Sequence, residues 1–116
     1  MSGEDLFEHL LLQAKALMRA DQSISCYVYF LLLSNNRIYV GCTTDLKLRL
    51  HDHAQGKACQ TTKRNPPQDL LRLEPYPDFS AARKREAQLK RWSHQKKQAL
   101  ATGDLPKLKE LSKSHN

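Results

Sequence analysis

Two apolar segments separated by a short polar turn constrain the fold of this chain more than any other feature. Residues 27–33 read YVYFLLL and residues 37–41 read RIYVG. Segments of this length that are β-branched, aromatic and leucine-rich are typical of strands. Between them lie Ser34, Asn35 and Asn36, and asparagine tolerates the left-handed backbone that tight hairpins require. The sequence therefore predicts an antiparallel hairpin.

A helical pattern precedes the hairpin. Apolar residues recur at helical spacing over residues 3–20. Ser2 directly precedes this segment and can cap the helix, and Asp5 lies in its first turn. The pattern predicts an N-terminal amphipathic helix that ends at residues 21–23. We expect this helix to dock on the rest of the chain. The alternative is a contact with a protein partner or a second copy of the chain through residues 3–20.

The remaining chain continues as alternating helix, loop and strand. The sequence first predicts a helix over 45–55, which begins at Thr44 or Asp45 and stops at Gly56, and then a polar basic loop over 57–68. A third short strand over 69–74 and a turn bounded by Pro75 and Pro77 follow. The chain then continues with helices from 80 to 92 and on through 101, and with a last short helix from 105 to 111. The expected fold class is α/β (α+β), a small three-stranded antiparallel sheet flanked by helices, with an extra N-terminal amphipathic helix.

The length of 116 residues corresponds to one domain. Within it we expect three parts. Residues 1–22 form the N-terminal helix, residues 25–101 form the main domain, and residues 102–116 form a short C-terminal helix and tail.

The charge of the chain is unevenly distributed. The net charge is +7, with three bases and four acids in residues 1–42 but sixteen bases and eight acids in residues 43–116. A basic half of this kind is the expected footprint of a protein that binds a polyanion. Charge alone leaves acidic protein surfaces and membranes open as alternatives to nucleic acid.

The cysteines and the hydropathy indicate an intracellular protein. The three cysteines are odd in number and form no C-x-x-C motif, so neither a disulfide framework nor a thiolate zinc site is expected. No apolar run approaches the roughly 20 residues that span a bilayer. The first five residues are acidic where a secretory signal would be basic. We expect a cytoplasmic, reducing location without a membrane partner.

Two short motifs and three single residues, spread along the chain, form a recognisable series. Tyr27-Val28-Tyr29 lies on the first predicted strand and Tyr39-Val40-Gly41 on the second, and these are followed by Arg49 and His53 on one helix and by Glu86 on a later one. In this order and spacing they resemble the GIY-YIG nuclease superfamily, and the loop and the basic helix look most like its small stand-alone, single-domain members. The resemblance covers about residues 26–100. It implies a metal-dependent endonuclease that hydrolyses phosphodiester bonds.

Under this resemblance, Tyr29, Tyr39, Arg49, His53 and Glu86 are the candidate catalytic residues. The family assigns the activation of the attacking water to a tyrosine of this pair. A phenol has a pKa near 10 in water, so it needs a nearby cation or metal-bound water to act as a base. A tyrosine ladder that only packs a sheet face is the alternative for two such residues taken alone.

Arg49 and His53 lie four residues apart and therefore share one helix face. An arginine stays charged and can hold a phosphate through two parallel hydrogen bonds. A histidine can donate or accept a proton at neutral pH. We expect the pair to hold the substrate phosphate. Taken alone, Arg49 is better explained as a solvated surface residue.

Glu86 is the single acid among seven bases between residues 79 and 100, and it lies on the apolar stripe of its predicted helix. An inward carboxylate needs a partner, because burying an unpaired charge is costly. That partner is either a divalent ion or a base such as Arg49 or a helical neighbour. A single carboxylate suits Mg²⁺ (or Mn²⁺), which keeps most of its waters and takes phosphate oxygens from the substrate. Glu86 is therefore the predicted metal ligand.

The other bases are predicted to contact the phosphate backbone of a nucleic acid, with DNA favoured over RNA. Structured or single-stranded DNA is favoured because no major-groove reading helix is evident. A nucleic-acid-binding module with a weak or vestigial nuclease site, as a subunit of a repair or mobile-element complex, is the alternative function. The predicted phosphate-binding bases are Lys57, Lys63, Arg64, Lys84, Lys90 and Arg91.

The chain departs from the family pattern at a few positions. Tyr27 replaces the glycine of the first motif, and Val28 and Val40 replace isoleucines, which suits a strand equally well. Cys42 stands where many members carry a basic residue, so one phosphate contact or general-base helper is missing. Gln98 stands near an asparagine of some members and keeps its carboxamide.

Overall fold

The strand predicted first, YVYFLLL, becomes the middle of a three-stranded sheet. The computed structural model describes residues 2–18 and 26–114. Along these residues the elements are α1 (Gly3–Leu17), β1 (Cys26–Leu33), β2 (Ile38–Thr43), α2 (Leu46–Ala54), α3 (Gln60–Arg64), β3 (Pro67–Tyr76), α4 (Phe79–Lys90), α5 (His94–Thr102) and α6 (Leu105–Ser114). Residues 21–23, predicted to end the first helix, lie outside the described residues.

The sheet has the order β2-β1-β3, and β1 pairs antiparallel with both neighbours. The hairpin turn uses a left-handed residue, Asn36, with a φ of 66°, as its asparagines predicted. Because β1 is central, its side chains are buried on both faces of the sheet, which explains its nearly continuous apolar sequence. The predicted fold class is confirmed.

Helices cover both faces of the sheet. On one face, Tyr29, Leu31 and Leu33 of β1 pack with buried residues of α1 and α2 in one core cluster. On the other face, Val28 and Phe30 pack with buried residues of α4 and α5 in a second cluster. The alternation of side chains along β1 divides the core into these two layers.

The N-terminal helix α1 docks on the sheet, as expected. Its residues Leu6, Leu10 and Ala14 are buried in the first core cluster. The Gln13 Oε1 atom accepts a hydrogen bond of 2.6 Å from the backbone N–H of Leu70, and the Gln13 Nε2 atom donates one of 3.0 Å to the Asp69 carboxylate. The helix thus covers the outer edge of β3, where a free strand edge would otherwise invite pairing with another chain.

The chain between α2 and α4 differs from the prediction in two places. The segment 57–68 was predicted as loop, but Gln60–Arg64 forms the short helix α3. The third strand is longer than predicted and takes in Pro75, which was assigned to a turn. An edge strand tolerates proline, because its outward backbone nitrogens need no partner strand.

Helix caps follow the sequence closely elsewhere. The Ser2 hydroxyl accepts from the Asp5 N–H at the start of α1, and the Asp45 carboxylate accepts from the Leu48 N–H at the start of α2. Gly56 follows α2 with a φ of 73°, the left-handed conformation that ends many helices.

Among the described residues, no helix combines the length and the apolar character needed to cross a membrane.

Leucines on opposite sides of α1 provide a matched test of its docking. Leu10 is 0% exposed and Leu12 is 65% exposed. We expect Leu10→Ala to lower the free energy of unfolding by about 2–5 kcal/mol, since it leaves a cavity in the core. Leu12→Ala should change it by less than about 0.5 kcal/mol. Urea unfolding measures both, and equal losses would contradict the docking of α1 on the sheet.

Candidate active site

Two tyrosines of the hairpin meet on the α2 face of the sheet. Tyr29 of β1 lies opposite Gly41 of β2, and Gly41 is two residues after Tyr39 on the same strand. The phenol rings of Tyr29 and Tyr39 have centroids 6.3 Å apart. A Cβ atom at position 41 would overlap the Tyr29 phenol. The glycine of the second motif is therefore the residue that lets Tyr29 lie flat across β2.

His53 of α2 completes a buried cluster with the two tyrosines. Its ring centroid lies 5.4 Å from that of Tyr29 and 5.2 Å from that of Tyr39. The Tyr29 hydroxyl and the His53 Nε2 atom form a hydrogen bond of 2.7 Å, and the His53 Nδ1 atom forms one of 2.9 Å with the Thr62 hydroxyl of α3. Both ring nitrogens have protein partners, so His53 is not free to contact a phosphate directly.

Burial keeps this cluster uncharged at neutral pH. Burial, with a smaller effect from the Arg49 charge, lowers the pKa of His53 to about 4. Burial raises the pKa of Tyr39 to about 12 and raises that of Tyr29 further above its ordinary value. The two phenols thus keep their protons, and the imidazole is neutral with one nitrogen able to accept a hydrogen bond.

The protonated phenol determines the direction of the hydrogen bonds. The Tyr29 O–H needs an acceptor, and the His53 Nε2 atom is the partner it has. The neutral imidazole then carries its proton on Nδ1 and donates it to the Thr62 hydroxyl. That hydroxyl in turn lies 3.4 Å from the Cys59 sulfur. The network therefore runs from Tyr29 through His53 and Thr62 to Cys59.

Thr62 and Cys59 were not identified from the sequence. Burial acts to raise the pKa of the Cys59 thiol, but hydrogen bonds from Thr62 and Tyr39 outweigh it and lower the pKa. Both residues belong to the segment predicted as polar loop. No pattern in that segment signals that α3 folds back over His53, because this contact depends on tertiary packing.

Arg49 lies one helical turn before His53 on α2. Its positive charge lessens the rise that burial causes in the pKa of Tyr29 and Tyr39 and adds to the fall in the pKa of His53, so the guanidinium is within electrostatic range of all three side chains. Within residues 2–18 and 26–114, no carboxylate forms an ion pair with Arg49. The Arg49 guanidinium is therefore available to an anion that approaches the Tyr29, Tyr39 and His53 cluster.

Glu86 of α4 reaches the cluster from the opposite face of the sheet. Its side chain is 14% exposed and lies 3.4 Å from the Lys90 Nζ atom and 3.8 Å from the Arg83 Nε atom. The Lys90 Nζ atom also lies 6.0 Å from the centroid of the Tyr39 ring. Because β2 is an edge strand, side chains from both layers meet around its outer edge.

The sequence left open whether Glu86 pairs with Arg49 or with a neighbour on its own helix. In the structure its ion pairs are with the helical neighbours Arg83 and Lys90. Cys42, which replaces a basic residue of the family pattern, lies beside Glu86. Burial and the nearby Glu86 charge raise the pKa of the Cys42 thiol to about 11. A neutral thiol at this position leaves the carboxylate with one fewer cation than a basic residue would provide.

The predicted phosphate-binding bases are all exposed. Of these, Lys90 is the one that contacts the cluster, through Glu86 and Tyr39. The set consists of Lys57 after α2, Lys63 and Arg64 in α3, Lys84 and Lys90 in α4, and Arg91 directly after α4.

The residues present fit a one-carboxylate metal site. Glu86 holds its two basic neighbours at 3.4 and 3.8 Å through side chains that are themselves half-exposed or more, so a divalent ion can compete for its oxygens. No group of three or more His, Cys, Asp or Glu side chains within the described ranges could hold a metal. A magnesium ion at Glu86 would take its remaining ligands from water and phosphate, as it commonly does.

The fold and the site define the GIY-YIG class, and comparison with known proteins agrees. The GIY-YIG catalytic domain model matches residues 25–99, and the chain belongs to this family. The family implies a nuclease, a hydrolase that acts on nucleic acid, and its members generally depend on a divalent metal.

Relatives of similar size occur in bacteria and archaea. A UPF0213 protein of Xanthomonas axonopodis pv. citri is 38% identical over 73 residues, which cover 63% of this chain and 72% of the relative. A UPF0213 protein of Haloquadratum walsbyi is 36% identical over 75 residues, which cover 65% of this chain and 84% of the relative. No solved structure matches the chain significantly. The prediction of a small stand-alone member of the family is confirmed.

The shifted pKa of His53 predicts a pH-dependent stability. Folding lowers this pKa from 6.5 to about 4, so the unfolded chain binds the proton more tightly. Stability should fall as the pH decreases from 6.5 toward 4, by up to about 3 kcal/mol from this residue. Urea unfolding across this range should show a steeper loss for the wild type than for His53→Gln. Parallel losses in the two proteins would contradict a buried, neutral His53.

The role of Thr62 can be tested with a matched pair of variants. Thr62→Val keeps the shape of the side chain but removes the acceptor of the His53 Nδ1 proton, which should cost about 1–3 kcal/mol. The ring ¹⁵N signals of His53 should then show a mixture of tautomers. Thr62→Ser keeps the hydroxyl and should keep the signals of the wild type. Unchanged signals in Thr62→Val would contradict the tautomer assignment.

Proposed function

We propose that this protein is a metal-dependent endonuclease that hydrolyses phosphodiester bonds in DNA by attack of a water molecule, with structured or single-stranded DNA as the favoured substrate. The observation that carries the proposal is the meeting of Tyr29, Tyr39 and His53 in one buried cluster beside Glu86. A sheet-packing ladder of tyrosines would not require a histidine that is hydrogen-bonded through both nitrogens.

Activation of water is assigned to the tyrosine pair. Tyr29 has a proton acceptor, since its hydroxyl donates to a neutral imidazole nitrogen at 2.7 Å. Tyr39 is the more accessible phenol. As a water attacks phosphorus, its proton passes to the Tyr29 phenol oxygen while the phenol proton moves on to the His53 Nε2 atom, and Tyr39 can take that proton only once it has lost its own. His53 acts here through Tyr29, because neither of its nitrogens is free for the phosphate.

Arg49 is assigned to the scissile phosphate. Its guanidinium has no carboxylate partner in the described part of the chain, and it lies within electrostatic range of the tyrosines. A planar guanidinium can bind two phosphate oxygens at once and stabilise the charge that accumulates on them during attack. The same positive charge offsets part of the rise in pKa that burial causes in both phenols, which favours their loss of a proton.

Glu86 is assigned to the metal ion, Mg²⁺ or Mn²⁺. When bound, the ion supplies positive charge that polarises the phosphate and stabilises the leaving oxygen. Lys90 lies between this carboxylate and the Tyr39 ring, where it can shield the carboxylate from the phosphate before metal binds. The remaining exposed bases, Lys57, Lys63, Arg64, Lys84 and Arg91, are assigned to the phosphate backbone of the substrate.

A nucleic-acid-binding module with a weak nuclease site is the second candidate. The high pKa values of both tyrosines favour it, because a phenol that holds its proton is a poor base. Such a module would bind through the same basic surface and could serve a larger repair or mobile-element complex. The exposed leucine Leu12 on the outer side of α1 is available to such a partner.

A cleavage panel separates an enzyme from a binding module. Labelled single-stranded DNA, duplex, flap, four-way junction and RNA are incubated with Mg²⁺, with Mn²⁺ or with EDTA. We expect metal-dependent cutting of a DNA substrate, and a loss of roughly 100-fold or more in Glu86→Ala. Glu8→Ala, which removes an exposed acid on α1, should cut like the wild type. Binding of DNA in EDTA should be retained in both variants.

Tyrosine variants in the same panel test the assignment of the base. The phenol that contacts the water should cause the larger loss of cutting when it is changed, so Tyr29→Phe and Tyr39→Phe should differ. If no member of the panel is cut and salt-sensitive binding persists in every variant, the nuclease assignment fails and the binding module replaces it.

A further inference from the structure

A cleft of about 440 Å³ extends from Tyr39 toward the hairpin turn. It lies between the start of β2, the helix α3 and the first turn of α5, and it shares only Tyr39 with the cluster described above. We call it the Arg37–Lys97 cleft. Its walls include Arg37, Tyr39, Thr61, Trp92, His94 and Lys97.

Positive charges converge on this cleft, and its lining contains no carboxylate. Within the described ranges, neither Arg37 nor Lys97 forms an ion pair. Burial lowers the pKa of Lys97, and the charges of Arg37 and Lys90 lower it further, so the three cations act on one another. Unneutralised cations of this kind create a positive potential that attracts an anion.

Two aromatic rings line the cleft together with these cations. Tyr39 belongs both to the cleft and to the proposed active site, and Trp92 is part of the cleft wall. The Trp92 ring packs against the second core cluster, and the Lys96 Nζ atom and the Arg85 guanidinium lie 4.2 and 5.4 Å from its centroid. A positively charged groove that carries aromatic rings is the usual arrangement for binding unpaired nucleotides.

The size of the cleft limits what it can hold. A volume of about 440 Å³ falls in the lower part of the range of roughly 300–1,000 Å³ for small-ligand pockets. The cleft therefore suits a nucleotide-sized group, whereas a base-paired segment would have to remain outside it.

We propose that the Arg37–Lys97 cleft binds the phosphate and base of an unpaired nucleotide that neighbours the scissile bond, and so selects single-stranded DNA over blunt duplex. Arg37 and Lys97 contact the backbone phosphate, and the aromatic walls contact the base. This inference rests on the proposed function, because it takes the Tyr39 end of the cleft as the point of cleavage.

Binding in EDTA tests the cleft without interference from cutting. Fluorescence anisotropy is measured with a labelled single-stranded oligodeoxynucleotide and with a blunt duplex of the same sequence, over a range of salt concentrations. The test protein is Arg37→Ala/Lys97→Ala. The matched control is Lys15→Ala/Lys109→Ala, which removes two exposed lysines of α1 and α6 that do not line the cleft.

We expect the cleft variant to bind the single strand roughly tenfold more weakly than the wild type at low salt. The slope of log K against log salt should fall by about 0.7, since one lost phosphate contact accounts for about 0.7 in single strands. The control should keep the single-strand affinity within about twofold. Circular dichroism of both variants should match the wild type, because none of the four changed side chains belongs to the buried core.

The outcomes separate the cleft from the proposed function. If the wild type binds single-stranded DNA but the cleft variant binds no more weakly than the control, the cleft is overturned and the nuclease proposal stands. Equal losses for single strand and duplex would overturn the selection of an unpaired nucleotide. If the wild type binds neither DNA, both the proposed function and the cleft are overturned.

Discussion

The buried hydrogen bond between Tyr29 and His53 joins the sheet to α2, and the rest of the site depends on it. The phenol can reach α2 because Gly41 presents no side chain beneath it. The bond in turn holds His53 against Thr62, which brings α3 over the cluster. A buried pair of this kind is costly if either partner is lost. Sheet, α2 and α3 are therefore coupled through a few polar atoms inside an otherwise apolar layer.

The two edges of the sheet serve opposite purposes. At the edge formed by β3, Gln13 of α1 bonds the Leu70 N–H and closes the strand to other chains. At the edge formed by β2, side chains from both layers meet around Tyr39, with His53 on one side and Lys90 on the other. A three-stranded sheet has a small interior, and the proposed chemistry lies at its open edge, which is β2.

Two acids of this protein, Glu86 and Glu74, are held in different ways. Glu74 is a buried acid whose partners are all internal, since it accepts hydrogen bonds from Arg72, Arg85 and Tyr76. Glu86 is held more loosely, at 3.4 and 3.8 Å from exposed bases. That difference separates an acid that stabilises the fold from one that we propose exchanges its partners for a metal ion. The second kind supports the proposed nuclease site.

The hairpin, the helix caps and the order of the family motifs could be predicted from the sequence, because strand alternation, helical spacing and cap chemistry are local properties. Arg37 directly precedes β2, so its place near Tyr39 also follows from the chain itself. The partners of His53 and the position of Lys97 could not be predicted. They come from α3 and α5, whose approach to the site is decided by packing between segments far apart in the chain. Tertiary structure alone therefore decided which side chains surround the tyrosines, because such contacts leave no periodic trace in the sequence.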